Sequence, residues 1–464
     1  MHRQFLKYAS ALALLLTGCC NCLQKNATEP RRGDTTVKLI TLDPGHFHAA
    51  LIQKQMYPEV SAVVHVYAPE GVDLNLHLDR ISSFNSRAEN PTAWQTKLYT
   101  GKDFLEKMLA EKAGNVVVLA GNNARKTEYI LKSIQAGFNV LSDKPMAITP
   151  KDFEMLKQAF EIAQQKGLFL YDIMTERYEI TSILQKELSR FPLLYGTQDT
   201  GTSDDPAVVK ESVHHFNKLV AGKPLQRPAW YYDTLQQGEA IVDVNTHLTD
   251  LIQWALFPDT VLSPKDITML QARTWNTPLT LEQYKKSTSQ NIWPDYLQKD
   301  LDAQGVLQCK ANGEFTYKIR GVYAKASVLW NFEAPAGTGD THFSLMRGSR
   351  ASLIIQQGAA EGYKPVLYVE PRRNTGVPAG DIATALQKAL TEINKLYPGI
   401  SFEAHETGWR INIPESYAVG HEAHFGQVAK KYLEFIKRGS MPAWEVPNML
   451  VKYHTLMEAY KKSR

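Results

Sequence analysis

Val116-Val-Val-Leu-Ala-Gly-Asn-Asn123, a helix-forming stretch, and then Gly137-Phe-Asn-Val-Leu-Ser-Asp143-Lys144-Pro145 decide the fold. A short apolar run bounded by turn residues reads as a buried strand, here Val116–Leu119 and again Val140–Ser142. Between them Lys126–Gln135 predicts a helix, with Gly137 just past its end, where a left-handed cap favours glycine. Strand, helix and strand in this order form a βαβ unit. The carboxyl ends of such strands are where ligands bind in an open α/β sheet. Asp143 and Lys144 stand at one of those ends, and Pro145 stiffens the turn that holds them.

The same alternation extends on both sides. Val37–Leu42, Val63–Tyr67 and Leu168–Tyr171 predict further strands, and His48–Met56 and Asp103–Glu111 predict helices. Thr149-Pro150 predicts a helix start, threonine as N-cap and proline at N1, with the helix running to about Gln165. Residues 71–95 are polar and read as a long loop. The expectation for this half is a doubly wound, Rossmann-like parallel sheet. Beyond Tyr171 a helix is predicted over Val242–Trp254. Strand-like stretches follow at Phe315–Ala324, Ala326–Phe332, Thr341–Arg347, Ser352–Gln356 and Val366–Glu370. Helical segments at 379–396, 422–438 and 444–461 close the chain. This predicts a C-terminal α+β domain with a largely antiparallel sheet. The expected organisation is 36–150 as a dinucleotide-binding domain and 151–464 as a substrate-binding domain.

Composition excludes several function classes. The chain has 464 residues, 44% hydrophobic and 22% charged, and a formal net charge of +4. That is a globular composition without a basic, aromatic-laced stripe, so nucleic-acid binding is not expected. Three of the four cysteines (Cys19, Cys20, Cys22) cluster near the start and only Cys309 lies in the body, which rules out a disulfide framework there. A basic Met1–Lys7 and an apolar Tyr8–Leu16 fit a secretory signal too short to span a bilayer in the mature chain. Leu16-Thr17-Gly18-Cys19 resembles a bacterial lipobox. The expectation is a signal peptide over 1–18, a flexible tether over 19–35, and a protein held in the bacterial cell envelope through lipidated Cys19. Whether it self-associates into a homo-oligomer is left open by the sequence.

Two constellations carry chemistry. The turn after the first strand, Asp43-Pro44-Gly45-His46-Phe47-His48, keeps the middle glycine of G-x-G-x-x-G and places Asp43 and His48 where the other two would stand. Gly238-Glu-Ala-Ile-Val-Asp243-Val-Asn-Thr-His247-Leu-Thr-Asp250 spaces two carboxylates and an imidazole at i, i+4 and i+7, one helical face. A carboxylate one turn from a histidine orients the ring for general-base work near neutral pH. His421-Glu-Ala-His424 lacks the i, i+4 spacing of a zinc helix, and no metal centre is assigned. His214-His215, Tyr171-Asp172, Glu176-Arg177-Tyr178 and Trp230-Tyr231-Tyr232 are further candidates for a cleft lining.

Together these pieces resemble the Gfo/Idh/MocA oxidoreductases, a family acting mostly on sugars and polyols. Asp143-Lys144-Pro145 matches the family's Glu-Lys-Pro, Ala120-Gly-Asn-Asn123 its Ala-Thr-Pro-Asn, and Gly238 to His247 its Gly-Gly-x-x-x-Asp-x-x-x-His. The resemblance implies catalysis by Lys144, His247 and Asp243: lysine beside the reacting hydroxyl, histidine taking its proton, aspartate positioning. It implies tightly held NAD or NADP, with Gly45, His46, Asn123, Asp143 and Lys144 as cofactor contacts. The implied reaction is oxidation or reduction of a hydroxyl on a sugar or glycoside. Redox-neutral glycoside cleavage through a transient keto-sugar is an alternative, because an exported chain crosses the membrane without its cofactor. A non-catalytic sugar-binding lipoprotein is the other.

Overall fold

The computed structural model describes residues 36–220, 223–373 and 376–464, so the signal, the lipobox and the tether lie outside it. The described chain from Thr36 to Arg464 forms one compact unit built around two sheets.

The first sheet has six parallel strands: β1 (Leu39–Leu42), β2 (Val63–Tyr67), β3 (Gln95–Tyr99), β4 (Val116–Leu119), β5 (Asn139–Asp143) and β6 (Leu170–Ile173). Their order is β3-β2-β1-β4-β5-β6, the doubly wound Rossmann arrangement. All four residues of β1 and of β4 are buried, as central strands covered on both faces must be. Helices α1 (His48–Leu51), α2 (Val72–Ser86), α3 (Phe104–Glu111), α4 (Asn123–Ala136) and α5 (Pro150–Lys166) connect them. The Asn122 side chain caps α4 by accepting from Ala124 N at 3.0 Å, and Gly137 closes it at φ 97°. At α5, Thr149 and Asp152 form a reciprocal capping box.

The structure corrects two expectations here. Residues 71–95 are not a loop: they hold α2, whose buried residues are Leu74, His77 and Ile81, and they lead into β3. The helix expected over His48–Met56 is one turn, ending at Leu51. The first sheet continues through α5 to β6, which pairs with β5.

The second sheet has nine strands, in the spatial order 267–279, 307–319, 322–333, 208–217, 341–347, 351–357, 366–371, 408–412, 401–405. All neighbours run antiparallel except Val208–Asn217 beside Val322–Glu333. Helix Asn245–Leu256 packs on this sheet, helix Glu445–Lys462 packs on both it and α5, and helix His421–Arg438 packs against β6 and α1.

A buried ion network joins the layers. Arg177 donates to both oxygens of Asp250 at 2.6 and 2.8 Å and to Glu445 at 3.1 Å. Lys452, fully buried, donates to Asp172 at the end of β6 at 2.5 Å and to Asp250 at 3.0 Å. Burial alone would raise the Asp250 carboxyl, but Arg177 and Lys452 hold it well below the usual carboxylate range.

Candidate active site

The carboxyl ends of β1 and β5 and the segment just past β6 meet helix Asn245–Leu256 and the second sheet at a cleft of about 970 Å³. Lys144, presented by β5 and followed by a cis Lys144–Pro145 peptide, donates to Asp243 Oδ1 at 2.7 Å. Both side chains are largely buried, at 11% and 7% exposure, so the ammonium is held in one place. The two residues are 99 positions apart in sequence, and the fold joins them as expected.

His247 lines the same cleft, and its Nδ1 is buried with no hydrogen-bond partner among the described residues. Burial lowers its pKa well below 6.5, and the Lys144 charge acts in the same direction. The ring is therefore neutral at pH 7, able to accept a proton. Its expected carboxylate orienter is not Asp243. That residue precedes the helix, which begins at Asn245, and its carboxylate serves Lys144. Asp250 is likewise committed to Arg177 and Lys452, so the one-face reading of three groups acting together fails.

The wall opposite Lys144 carries Ser212, His214, Trp330 and Asp340. His215 Nδ1 lies 2.8 Å from Asp340 Oδ1, and Lys218 donates to Asp340 Oδ2 at 2.8 Å. Against its burial, His214 and Lys218 hold the Asp340 carboxyl far below its ordinary value. Glu176 also lines the cleft, and burial, with Glu179 beside it, raises its carboxyl to about 7. His421 reaches in from its helix, its Nε2 3.9 Å from Glu176 Oε1. Neither Asp340 nor His421 was assigned to the site from sequence. All three of the aromatic triplet are buried, and of them Tyr231 lines the cleft.

The residues from the broken glycine turn are placed differently from one another. His46 and His48 line the cleft floor. His48 Nδ1 is 2.9 Å from Asp143 Oδ2, and His46 Nδ1 is 3.9 Å from the same oxygen. Burial pushes both imidazoles well below 6.5. Gly45 and Asn123 are covered. The Asn123 amide donates to the Gln237 carbonyl at 2.8 Å, Lys126 donates to its oxygen at 2.5 Å, and Asn122 donates to Gln236 at 2.7 Å.

Comparison with known proteins places this geometry in a class. Residues 45–171 match the model "Oxidoreductase family, NAD-binding Rossmann fold" (GFO_IDH_MocA), and residues 184–464 match "Putative oxidoreductase C terminal domain". The crystal structure of a "putative oxidoreductase" from Parabacteroides merdae ATCC 43184 is 53% identical. It has a TM-score of 0.90, over 92% of this chain and 98% of that one. The chain belongs to the Gfo/Idh/MocA oxidoreductases, in the branch that carries this C-terminal domain. It is an enzyme of that class, and its first domain has the family's NAD-binding Rossmann fold. More distant structures share the fold. KijD10, a 3-ketoreductase from Actinomadura kijaniata in complex with NADP and TDP-benzene, is 13% identical over 91% of this chain and 96% of that one, TM-score 0.53. A levoglucosan dehydrogenase in complex with NADH is 11% identical over 92% and 98%, TM-score 0.56. No curated protein matches.

The dinucleotide's extended track does not fit this turn as it stands. The middle glycine of the fingerprint admits pyrophosphate because nothing else covers it. Here a Cβ built on Gly45 would meet Asp73 Oδ2 at 3.1 Å, Trp230 Cζ2 at 3.2 Å and the Asn122 nitrogen at 3.4 Å. Trp230 is fixed there by donating to Asp73 at 2.8 Å. The cavity beside Gly45 measures about 20 Å³, room for little more than one water. Asp43 and Asp73 add negative charge where phosphates would lie. Gly45 and Asn123, expected as cofactor contacts, are packing residues under the 229–237 segment in this conformation.

Proposed function

We propose that this enzyme acts on a hydroxyl-bearing carbon of a sugar or glycoside, with Lys144, Asp243 and His247 handling the proton. The observation that carries this reading is the convergence of a fixed ammonium and a neutral imidazole with an unpartnered Nδ1 on one cleft. Lys144, held by Asp243, stabilises negative charge developing on the reacting oxygen. His247 accepts the hydroxyl proton, or returns it in the reverse direction. Tyr231 and Trp330 offer apolar faces to a sugar ring, while Asp340, His214 and Glu176 offer partners for its hydroxyls. The sugar-related names of two distant neighbours support the same substrate class.

The test is turnover of a sugar and glycoside panel by residues 36–464, offering NAD, NADP and an artificial dye as electron acceptors in turn. Lys144→Ala and His247→Ala should each lower kcat/KM by at least about 100-fold, the scale of losing a general base. Wild-type rates in both variants, or no turnover with any acceptor, would sink the reading. Aglycone release without acceptor reduction would shift it to redox-neutral cleavage. We also propose envelope anchoring through Cys19, checked by incorporation of a clickable fatty acid that Cys19→Ser abolishes.

A further inference from the structure

We propose that His46, His48 and Asp143 bind a divalent transition-metal ion on the floor of the cleft. Two imidazoles and one carboxylate are the donor set of the 2-His-1-carboxylate triad, which leaves coordination positions open. One ligand atom from each of the three residues lies within 4.8 Å of the others. Bonds of about 2.1 Å place neighbouring ligand atoms roughly 3.0–3.5 Å apart. The 2.9 Å between His48 Nδ1 and Asp143 Oδ2, a hydrogen bond as it stands, falls just short of that range, and His46 Nδ1, at 3.9 Å, needs to close by less than an ångström.

The framework supports this placement. His46 and His48 come from one turn after β1, and Asp143 ends β5; the strand between them, β4, pairs with both. Lys126 donates to the Asp143 carbonyl at 3.2 Å, fixing the backbone that carries the carboxylate. The His46 ring lies nearly parallel to Tyr231, with centroids 6.4 Å apart and planes at 17°. Both histidines border the 970 Å³ cleft, so an ion between them would present its free positions to whatever the cleft holds. Lys144 follows Asp143 directly. A metal there would take two neighbouring oxygens of a polyhydroxylated ligand and fix the one beside Lys144, as a Lewis acid and a template.

The covered glycine turn agrees with this exchange of roles. The side of the turn that would meet pyrophosphate is closed by Trp230 and Asp73, while its other side carries the donor set. The inference does not depend on the sugar reading, because ion binding is measured without substrate.

The experiment starts from residues 36–464 stripped with chelator and dialysed. Zinc, manganese and cobalt are titrated by calorimetry, and cobalt also by its visible absorption. One ion per chain is expected, with His48→Ala and Asp143→Asn each weakening binding by at least about 100-fold. His405→Ala, on an exposed strand of the second sheet, should bind as wild type. Circular dichroism and melting in excess chelator, unchanged in both triad variants, separate loss of the site from loss of the fold. Wild-type affinity in both variants, or no stoichiometric ion in the wild type, would overturn the proposal.

Discussion

At the scale of single residues, burial decides which groups are ready for chemistry. His247 is neutral because its imidazolium is desolvated and sits near Lys144, so the acid limb of a rate profile governed by it lies well below pH 6.5. Glu176 moves the opposite way. Its carboxyl is raised to about 7, so the folded protein binds a proton that the unfolded chain has already lost above its ordinary value near 4.5. By linkage, the Glu176 contribution is fully present below about pH 4.5 and is lost as pH rises through about 7. Glu176→Gln should therefore flatten the fall in urea midpoint between those limits. Identical slopes in wild type and variant would contradict the assignment. The residues of the site were legible to different degrees. Lys144, Asp243 and His247 stand in motifs whose order along the chain announces them. The His46-x-His48 pair was visible too, but its partner Asp143 lies 95 residues from His48, and no local spacing reveals that.

At the scale of elements, local signals were legible wherever the pattern was strong. Val63–Tyr67, Val116–Leu119 and Thr341–Arg347 form over the residues expected, because each is an apolar or alternating run with clear ends. β3 gave no such signal: it is an edge strand whose first four residues are exposed, so no buried face patterns its sequence. The run read as one strand over Phe315–Ala324 crosses a two-residue hairpin turn at Arg320-Gly321, both at positive φ. Arg-Gly lacks the Asn-Gly signature that marks such turns. Capping was readable, and Thr149→Ala should cost about 1 kcal/mol in chemical denaturation. The cover over the glycine turn was not readable, since Trp230 and Asp73 are 157 residues apart. Trp230→Ala should uncover Gly45 and tighten NADH binding by about tenfold, or 1.4 kcal/mol, measured by fluorescence titration. Unchanged affinity would mean that the tryptophan does not guard the turn.

At the scale of the whole molecule, the two sheets are held in register by charge as well as by packing. Lys452 bridges Asp172, on the first sheet, and Asp250, on the helix that carries His247. Removing Lys452 leaves buried Asp172 without its cation, while Asp250 keeps Arg177; breaking such a buried pair typically costs about 3–5 kcal/mol. Lys452→Met should lower stability by that amount in urea, and a loss below about 1 kcal/mol would show that the pair is expendable. The doubly wound class was legible from strand and helix alternation alone, whereas this bridge was not, because it spans 280 positions and two layers. The same C-terminal helix has a second grip: Tyr453 accepts the Met146 amide proton at 2.9 Å, two residues beyond Lys144 and 307 positions upstream in the chain. During synthesis the first sheet emerges from the ribosome long before that tyrosine does. The loop bearing the reactive lysine therefore gains this anchor only after the chain has been made through Tyr453, and a nascent chain short of that point lacks it.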